Sequence, residues 1–327
     1  MKNDDGVSVI IGTLLLILVV TVGVLGIATM VGVQLTDTSK HMNTEHQNSA
    51  SDIPIYVSGS DDMYELNCNL ANLYETPDNG FNVITNIISP DGVYSSLTTK
   101  TSDIGMLSGK IDYATVYDNQ GLKAQQIGEG AVVVIAYPKG SNDTFQTYSN
   151  LTTDFANPSD VTITRSDQSG TVDTFYNFLD QNEVVGINAV DGDAAEITAV
   201  STTPNSIGFA DYGDVINARQ TSNIKVDIVG IADSNNQQYP IDGITYKNLT
   251  TVAKDTYLSQ QFNSNGSPLY SGNQTTVPYY SMSLMYPLNY VTLQYQDGVS
   301  QNFRQWVISP AASPAFVQSG DFSLAQF

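Results

Sequence analysis

AVVVIAY, at residues 131–137, is the strongest secondary-structure signal in this chain. It is apolar throughout, rich in β-branched valine and followed by Pro138, which predicts a strand buried on both faces. Shorter strand patterns occur at residues 53–57 and 82–88, with a helical pattern between them from Tyr64 to Tyr74. Strands that alternate with helices predict an α/β fold with a mainly parallel sheet.

Three further segments extend this pattern. SPDG at residues 89–92 predicts a turn, and residues 97–107 have helical spacing. KIDYATVY at residues 110–117 predicts a strand. Residues 52–327 are therefore expected to form the folded part of the chain.

The 327-residue chain is strongly acidic, with 12 basic and 33 acidic side chains and a formal net charge of -21. Such a chain cannot assemble the basic patch that neutralises nucleic-acid phosphates, so a nucleic-acid partner is excluded. Its histidines are His41 and His46 and its one cysteine is Cys68, which excludes a triad hydrolase, an internal disulfide and a cysteine metal cluster. We predict no enzyme activity, cofactor or metal.

Residues 7–35 are predicted to form a transmembrane helix. The run at residues 6–35 contains no Asp, Glu, Lys, Arg or His and is apolar on every face. With a rise of about 1.5 Å per residue, this helix spans a hydrocarbon core of roughly 30 Å. We expect the amino terminus inside the cell, a polar stalk at residues 36–51 and an extracytoplasmic domain at residues 52–327 on the cell surface.

The opening of the chain, MKNDDG followed by VSVIIG, resembles the class III signal of archaeal type IV pilins. In that family a prepilin-type peptidase cuts a short polar leader after glycine, directly ahead of an apolar helix. The resemblance implies a leader at residues 1–6, cut between Gly6 and Val7. Asp5 stands where a basic residue is common, and Ile11 stands where bacterial pilins carry Glu. The alternative is an uncleaved membrane anchor.

Asparagine sequons of the N-x-S/T type suit a glycosylated surface domain. Each one is a weak signal, because a chain rich in Asn and Thr produces some by chance. The glycosylation candidates are Asn142, Asn150, Asn248, Asn265 and Asn273.

Motifs within residues 52–327 resemble the phosphate-type periplasmic binding proteins, which are solute-binding subunits of ABC importers. YVSGSDDM at residues 56–63 is similar to their strand that enters G-S-T-T and a helix, and SGKIDYA at residues 108–114 to their sGkiDia strand. RSDQSGT at residues 165–171 looks like their R-x-D-x-S-G-T loop. TPNSIGF at residues 203–209 looks like their tpgsIGy strand.

This resemblance implies a two-lobed α/β domain, with the second lobe at roughly residues 140–285, that captures an oxyanion such as phosphate for an importer permease. Ser-Gly-Thr at a helix start offers backbone N–H groups, hydroxyls and the positive end of the helix dipole, and Arg165 adds a forked donor. The implied ligand-binding residues are Ser58, Gly59, Ser60, Arg165, Asp167, Ser169, Gly170 and Thr171.

Other features of the sequence favour a structural role for the same residues. Ser169 can cap the helix and Gly170 can make the turn. Arg165 can pair with Asp167 and so be unavailable to a ligand. In the first lobe, two carboxylates at residues 61–62 stand where the family has threonine, and residues 116–117 replace a small hydroxyl residue. Carboxylates at that position would repel a phosphate.

Two functions therefore stay open. In the first, the chain is a membrane-tethered solute-binding protein. In the second, it is a pilin-like subunit that assembles with identical subunits into a surface filament, with the binding-protein-like domain as a repurposed outer coat.

Overall fold

The computed structural model describes residues 53–75, 81–111, 121–138, 145–221, 224–232, 246–260, 282–294 and 298–327. Ile53–Phe327 forms one structural unit. The predicted leader, transmembrane helix and stalk lie outside the described residues. Among the residues that are described, no helix has the length and apolar character needed to cross a membrane.

Strands and helices alternate through most of this unit. The strands are β1 (Ile53–Gly59), β2 (Phe81–Ile87), β3 (Ile104–Ser108), β4 (Leu122–Ala136), β5 (Phe145–Thr147), β6 (Thr164–Arg165), β7 (Ala189–Val190), β8 (Ile207–Asp211), β9 (Asp227–Ala232), β10 (Met285–Leu293) and β11 (Phe322–Ser323). The α-helices are α1 (Tyr64–Tyr74), α2 (Pro90–Thr98), α3 (Tyr148–Ala156), α4 (Gly170–Phe178), α5 (Asp193–Thr202), α6 (Tyr212–Thr221), α7 (Tyr246–Gln260), α8 (Val299–Val307) and α9 (Ser313–Ser319).

Strand β4 connects two groups of strands. Its first part pairs with β10 in the order β2-β1-β3-β10-β4, which we call the first sheet. Its last part, residues 132–136, pairs with β8 and β9, and β9 pairs with β5; we call this group the second sheet. Val132, Val133, Val134 and Ile135 are at most 1% exposed, which confirms the buried strand predicted at AVVVIAY.

The mixed direction of the strands corrects the prediction of a mainly parallel sheet. β1 runs parallel to β2 and β3, and β5 runs parallel to β9. β10 is antiparallel to β3 and β4, and β4 is antiparallel to β8 and β9. The antiparallel pairs arise because the chain passes from the first sheet into the second along β4. It comes back to the first sheet in β10, which runs opposite to β3 and β4. Local sequence patterns do not reveal such a crossing.

Residues 89–107 also differ from the prediction. SPDG is not a turn: Ser89 precedes α2, and Pro90 is its first residue, where a missing N–H is harmless. The helix ends at Thr98, and residues 104–107, predicted as helical, lie in β3. β3 is fully buried beside β1, and this tertiary pairing outweighs the apparent helical spacing. Most of the strand predicted at residues 110–117 lies outside the described residues.

Candidate functional site

Two parallel strands of the first sheet and one helix beside the second sheet meet at a single place. β1 leads into Ser60 and a single 3-10 turn at Asp61–Met63, and β3 ends at Ser108. Because the carboxyl ends of parallel strands lie at one edge of a sheet, Ser60 and Ser108 are neighbours, with 3.1 Å between their Oγ atoms. The first turn of α4 faces them from the other side.

The approach of α4 is close enough to need glycine. A Cβ atom on Gly170 would lie 2.7 Å from the backbone N of Gly109 and from the backbone C of Ser108. A Cβ on Gly109 would in turn lie 3.3 Å from Gly170 Cα. Glycine is therefore required at the start of α4 for backbone contact with the end of β3, and the turn proposed from the sequence is not its main role.

Hydrogen bonds join these segments around the carboxylate of Asp62. Ser108 Oγ donates to Asp62 Oδ2 at 2.8 Å and accepts from the Gly170 N–H at 3.0 Å. The Thr171 N–H also points at Asp62 Oδ2, at 3.4 Å. Asp62 Oδ1 and the fully buried Thr171 Oγ1 have no hydrogen-bond partner within the described part of the chain. A carboxyl oxygen thus accepts hydrogen bonds from donors on both sides of the junction.

Arg165 is fully buried behind this junction and is surrounded by carboxylates. Its Nε and Nη2 atoms each donate to one oxygen of Asp167 at 2.5 Å, and its Nη1 lies 2.7 Å from Asp193 Oδ1. Glu196 Oε2 lies 3.8 Å from Nε. This pairing with Asp167 is the one expected if Arg165 has a structural role. The forked guanidinium donor is then used inside the protein and not by a ligand.

Charge and burial shift the pKa values of this cluster in different directions. Burial opposes a charged Arg165, yet Asp193 and the other carboxylates outweigh it and raise the pKa of the guanidinium. Burial also acts against a charged Asp167, but the hydrogen bond from Arg165 brings the pKa of Asp167 below its ordinary value. For Glu196, burial dominates and raises the pKa well above the usual range despite Arg165. Arg165 therefore holds Asp167 ionised.

Asp62 has an unfavourable environment for a charged group. Burial raises the pKa of Asp62 well above its usual range, and the nearby Asp193 and Asp61 raise it further. Arg165 and the hydrogen bond from Ser108 act in the opposite direction without overcoming burial. A second ionised group placed beside Asp62 would meet the same repulsion.

Asp211 forms a further acidic centre where β8 enters α6. Its Oδ1 accepts from the Gly213 N–H at 2.7 Å, and its Oδ2 accepts from the Tyr286 hydroxyl at 2.7 Å. Its backbone N–H donates to Asp193 Oδ1 at 2.8 Å. Burial and then Asp193 raise the pKa of Asp211 to about 7. These bonds tie the start of α6 to β10 and α5, which is a structural role.

Six of the eight predicted ligand-binding residues lie at the junction or directly behind it, and the other two, Ser58 and Gly59, make structural contacts in β1. Ser60, Gly170 and Thr171 lie at the junction, with Arg165, Asp167 and Ser169 behind it. Ser169 caps α4, accepting from the Val172 N–H at 3.3 Å. Ser58 lies away from the junction, because its hydroxyl accepts a bond from Ser102 Oγ at 2.7 Å. Gly59 permits the close approach of β1 to β3, since a Cβ there would overlap the Met106 carbonyl.

Sequence reasoning missed Ser108, Asp193 and Glu196 at this site. The small hydroxyl residue sought at residues 116–117 is present instead as Ser108, at the end of β3. A signal was available, because SDIGMLSG at residues 102–109 carries a short apolar run between polar residues. From the sequence, Asp62 is expected only to repel a phosphate, and no local pattern indicates its contact with the first turn of α4.

Two of the sequons fall within the described residues. Asn150 lies exposed in α3, and Asn248 is partly exposed in α7. Asn142, Asn265 and Asn273 lie outside the described residues, as do Gly6 and Val7. Glycosylation at all five asparagines and cleavage after Gly6 stay predictions.

The residues described by the structure contain no group of three His, Cys, Asp or Glu side chains arranged to hold a metal ion.

Comparison with solved structures shows which known folds this chain resembles. An ABC-type phosphate transport receptor from Vibrio cholerae matches with a TM-score of 0.57 and 15% identity, over 83% of this chain and 100% of the other. A substrate-binding protein assigned to a phosphate ABC transporter of Clostridium perfringens, with bound phosphate, matches with a TM-score of 0.59 and 16% identity, over 83% and 99%.

The fold of the described residues resembles the periplasmic-binding-protein domain. A cysteine-to-serine mutant of OxyR from Corynebacterium glutamicum, in a peroxide-bound structure, also matches, with a TM-score of 0.52 and 9% identity over 89% of this chain and 73% of that chain. No family model and no curated protein sequence matches the chain. Since proteins with different roles share this fold, function has to be argued from the junction of β1, β3 and α4.

Proposed function

We propose that residues 52–327 form a two-lobed, extracytoplasmic solute-binding domain that takes an oxyanion between its lobes. The second lobe, at roughly residues 140–285, contributes α4, and the first lobe contributes the ends of β1 and β3. The observation that carries the proposal is the placement of a carboxyl oxygen, that of Asp62, on Ser108 Oγ and the Thr171 N–H. Donors from both lobes converge on that oxygen.

The chemistry of these donors suits an oxyanion. Backbone N–H groups at a helix start are unsatisfied by the helix itself and carry its positive dipole end. Phosphate and sulfate bind at such positions in many folds. The hydroxyls of Ser60 and Ser108 can each donate or accept a hydrogen bond, depending on the partner. The acidic surroundings favour a protonated oxyanion such as monohydrogen phosphate, which can donate a hydrogen bond, over sulfate.

The proposed setting is the outer face of a membrane. Residues 7–35 would tether the domain, with the amino terminus inside and the domain outside the cell. A tethered domain that closes around a solute can deliver it to the permease of an ABC importer in the same membrane. Two proteins with this fold and a phosphate-transport assignment support the choice of partner.

Calorimetric titration of the full-length chain in detergent with phosphate at pH 7 tests this function. We expect saturable one-to-one binding at micromolar or lower concentrations, and a loss of at least about tenfold, equal to 1.4 kcal/mol, in Ser108→Ala. Ser166→Ala is the matched control, because its exposed hydroxyl bonds the Val190 carbonyl away from Asp62. Absence of phosphate binding up to millimolar concentration would refute phosphate capture by the natural chain.

A specific observation favours the second candidate, a filament subunit with a repurposed outer domain. Arg165 is fully engaged by Asp167 and Asp193, and Asp62 already contacts the first turn of α4. A coat domain needs no open binding site. This candidate predicts cleavage after Gly6 and filaments at the cell surface. Amino-terminal sequencing of sheared surface material tests it, and a mature terminus at Met1 in a purely monomeric membrane protein would exclude it.

A further inference from the structure

We infer that the carboxyl group of Asp62 is an internal occupant of the binding junction, which joins its two sides and competes with any solute that enters. The inference rests on the proposed function for the location of the solute. It goes further in assigning one residue of this chain as the group that competes with the solute and keeps the domain closed without one.

The contacts of Asp62 identify the position it occupies. Asp62 belongs to the turn after β1, whereas Thr171 belongs to the first turn of α4, on the other side of the junction. Asp62 Oδ2 receives the Ser108 hydroxyl at 2.8 Å and the Thr171 N–H at 3.4 Å. The Gly170 N–H completes the arrangement by donating to Ser108 Oγ at 3.0 Å. A carboxylate of the chain itself therefore uses the donors that would otherwise serve a bound oxyanion.

The close packing around Asp62 shows that the two sides are already in contact. Gly170 and Gly109 approach so closely that a single added methyl group would overlap backbone atoms. Asp61 reaches the opposite side as well, since a Cβ on Gly192 would lie 3.4 Å from Asp61 Oδ2. A tetrahedral anion does not fit between surfaces in such contact, so a solute has to displace the Asp62 side chain and separate them.

The surroundings of Asp62 oppose this displacement. The guanidinium of Arg165 is already bound to Asp167 and Asp193, so it cannot pair with an incoming anion without breaking those contacts. An oxyanion that enters must also replace a carboxyl group that belongs to the chain and is therefore present at high local concentration. We therefore assign Asp62 as the residue that competes with a solute for the donors of Ser108 and Thr171 and so weakens its binding.

Hydrogen exchange of the full-length chain tests the closing contact without any solute. In Asp62→Ser, we expect the backbone amides of residues 170–172 to exchange at least tenfold faster than in the natural chain. Asp62→Asn keeps the size of the side chain and should show a smaller increase in exchange. It serves as the test variant if Asp62→Ser does not fold. Asp160→Asn is the matched control, because Asp160 is exposed and accepts the bond from Asn188 through its backbone carbonyl. Unchanged exchange in both Asp62 variants, or an equal rise in Asp160→Asn, would overturn the inference.

Phosphate titration of the same variants separates this inference from the proposed function. The inference predicts that Asp62→Ser binds phosphate at least tenfold more tightly than the natural chain, and an equal or weaker affinity in a folded Asp62→Ser would overturn it. Binding to Asp62→Ser alone would support Asp62 as the internal occupant and refute phosphate capture by the natural chain. Equal binding to both, with unchanged exchange, would support the proposed function and overturn the assignment of Asp62 as the internal occupant.

Discussion

At the scale of single residues, the junction combines paired side chains with buried polar atoms that have no hydrogen-bond partner in the described structure, among them Asp62 Oδ1 and Thr171 Oγ1. Arg165 has no exposed surface and bonds Asp167 in a forked geometry. Removing one member of such a buried pair leaves an uncompensated charge, so the pair is sensitive to mutation even where it adds little net stability. A change at Arg165 that abolished ligand binding would therefore not by itself identify a ligand contact.

Gly170→Ala tests the close contact at this scale. The added methyl group would lie 2.7 Å from backbone atoms of residues 108 and 109, so we expect a loss of about 1–3 kcal/mol in the free energy of unfolding. Gly92→Ala, inside α2, has its nearest contact at 3.4 Å and should be neutral or stabilising by up to about 1 kcal/mol. Urea unfolding measures both variants. Equal effects would contradict the close packing of α4 on β3.

At the scale of elements, strand pairing and helix capping decide where each segment begins and ends. β3 forms at residues 104–108 because it is buried between β1 and β10, although the same residues have helical spacing. α4 begins at Gly170, where Ser169 supplies an oxygen to the Val172 N–H. α2 begins after Ser89, whose side chain makes no such bond in the described structure. The two serines hold the same position before a helix, but Ser169 is buried and makes this bond, whereas Ser89 is exposed and does not.

These two serines form a matched pair of variants. Ser169→Ala removes a capping bond and should cost about 1 kcal/mol of unfolding free energy, with more if the weak contact from Arg165 Nη2, at 3.4 Å, also contributes. Ser89→Ala should cost only a few tenths of a kcal/mol. Thermal and urea unfolding of both variants provide the measurement. A larger effect at Ser89 than at Ser169 would contradict the capping assignment.

At the scale of the whole molecule, acidic groups are buried rather than confined to the surface. Glu129 has no exposed surface in β4, and burial raises its pKa to about 8, although the hydrogen bond from Gln126 opposes this. Asp211 has its pKa raised to about 7. The folded state therefore holds protons at neutral pH that the unfolded chain, with ordinary carboxyl pKa values near 4, has released.

This difference predicts that stability falls as pH rises. Between about pH 4 and pH 8 the folded state binds more protons than the unfolded state, so each such group lowers the unfolding free energy by up to about 1.4 kcal/mol per pH unit. The depressed pKa of Asp167 acts the other way, and its contribution is lost only as pH falls below about 4. We expect a higher Tm at pH 5 than at pH 8. Glu129→Gln should flatten the profile, and a Tm that rises from pH 5 to pH 8 would refute the prediction.

Local patterns in the sequence determined much about this protein. The apolar run at residues 131–137 specified a buried strand, and the spacing of apolar residues located α1, because burial of one chain segment depends on its own side chains. Motif resemblance led to the binding-protein fold and to the loop at residues 165–171. Local patterns misplaced β3 and the strand directions, because those depend on which distant segments pair.

Only the tertiary structure decided what the loop at residues 165–171 contacts. RSDQSGT has the composition of an anion-binding loop, and its free N–H groups follow from the helix start alone. Which oxygen meets them depends on residues that lie 62 and 109 positions away, and the fold brings Ser108 to Gly170 and Asp62 to Thr171. Long-range contacts of this kind are not encoded in any local spacing, so the same motif is compatible with a free site and with one that the chain itself occupies.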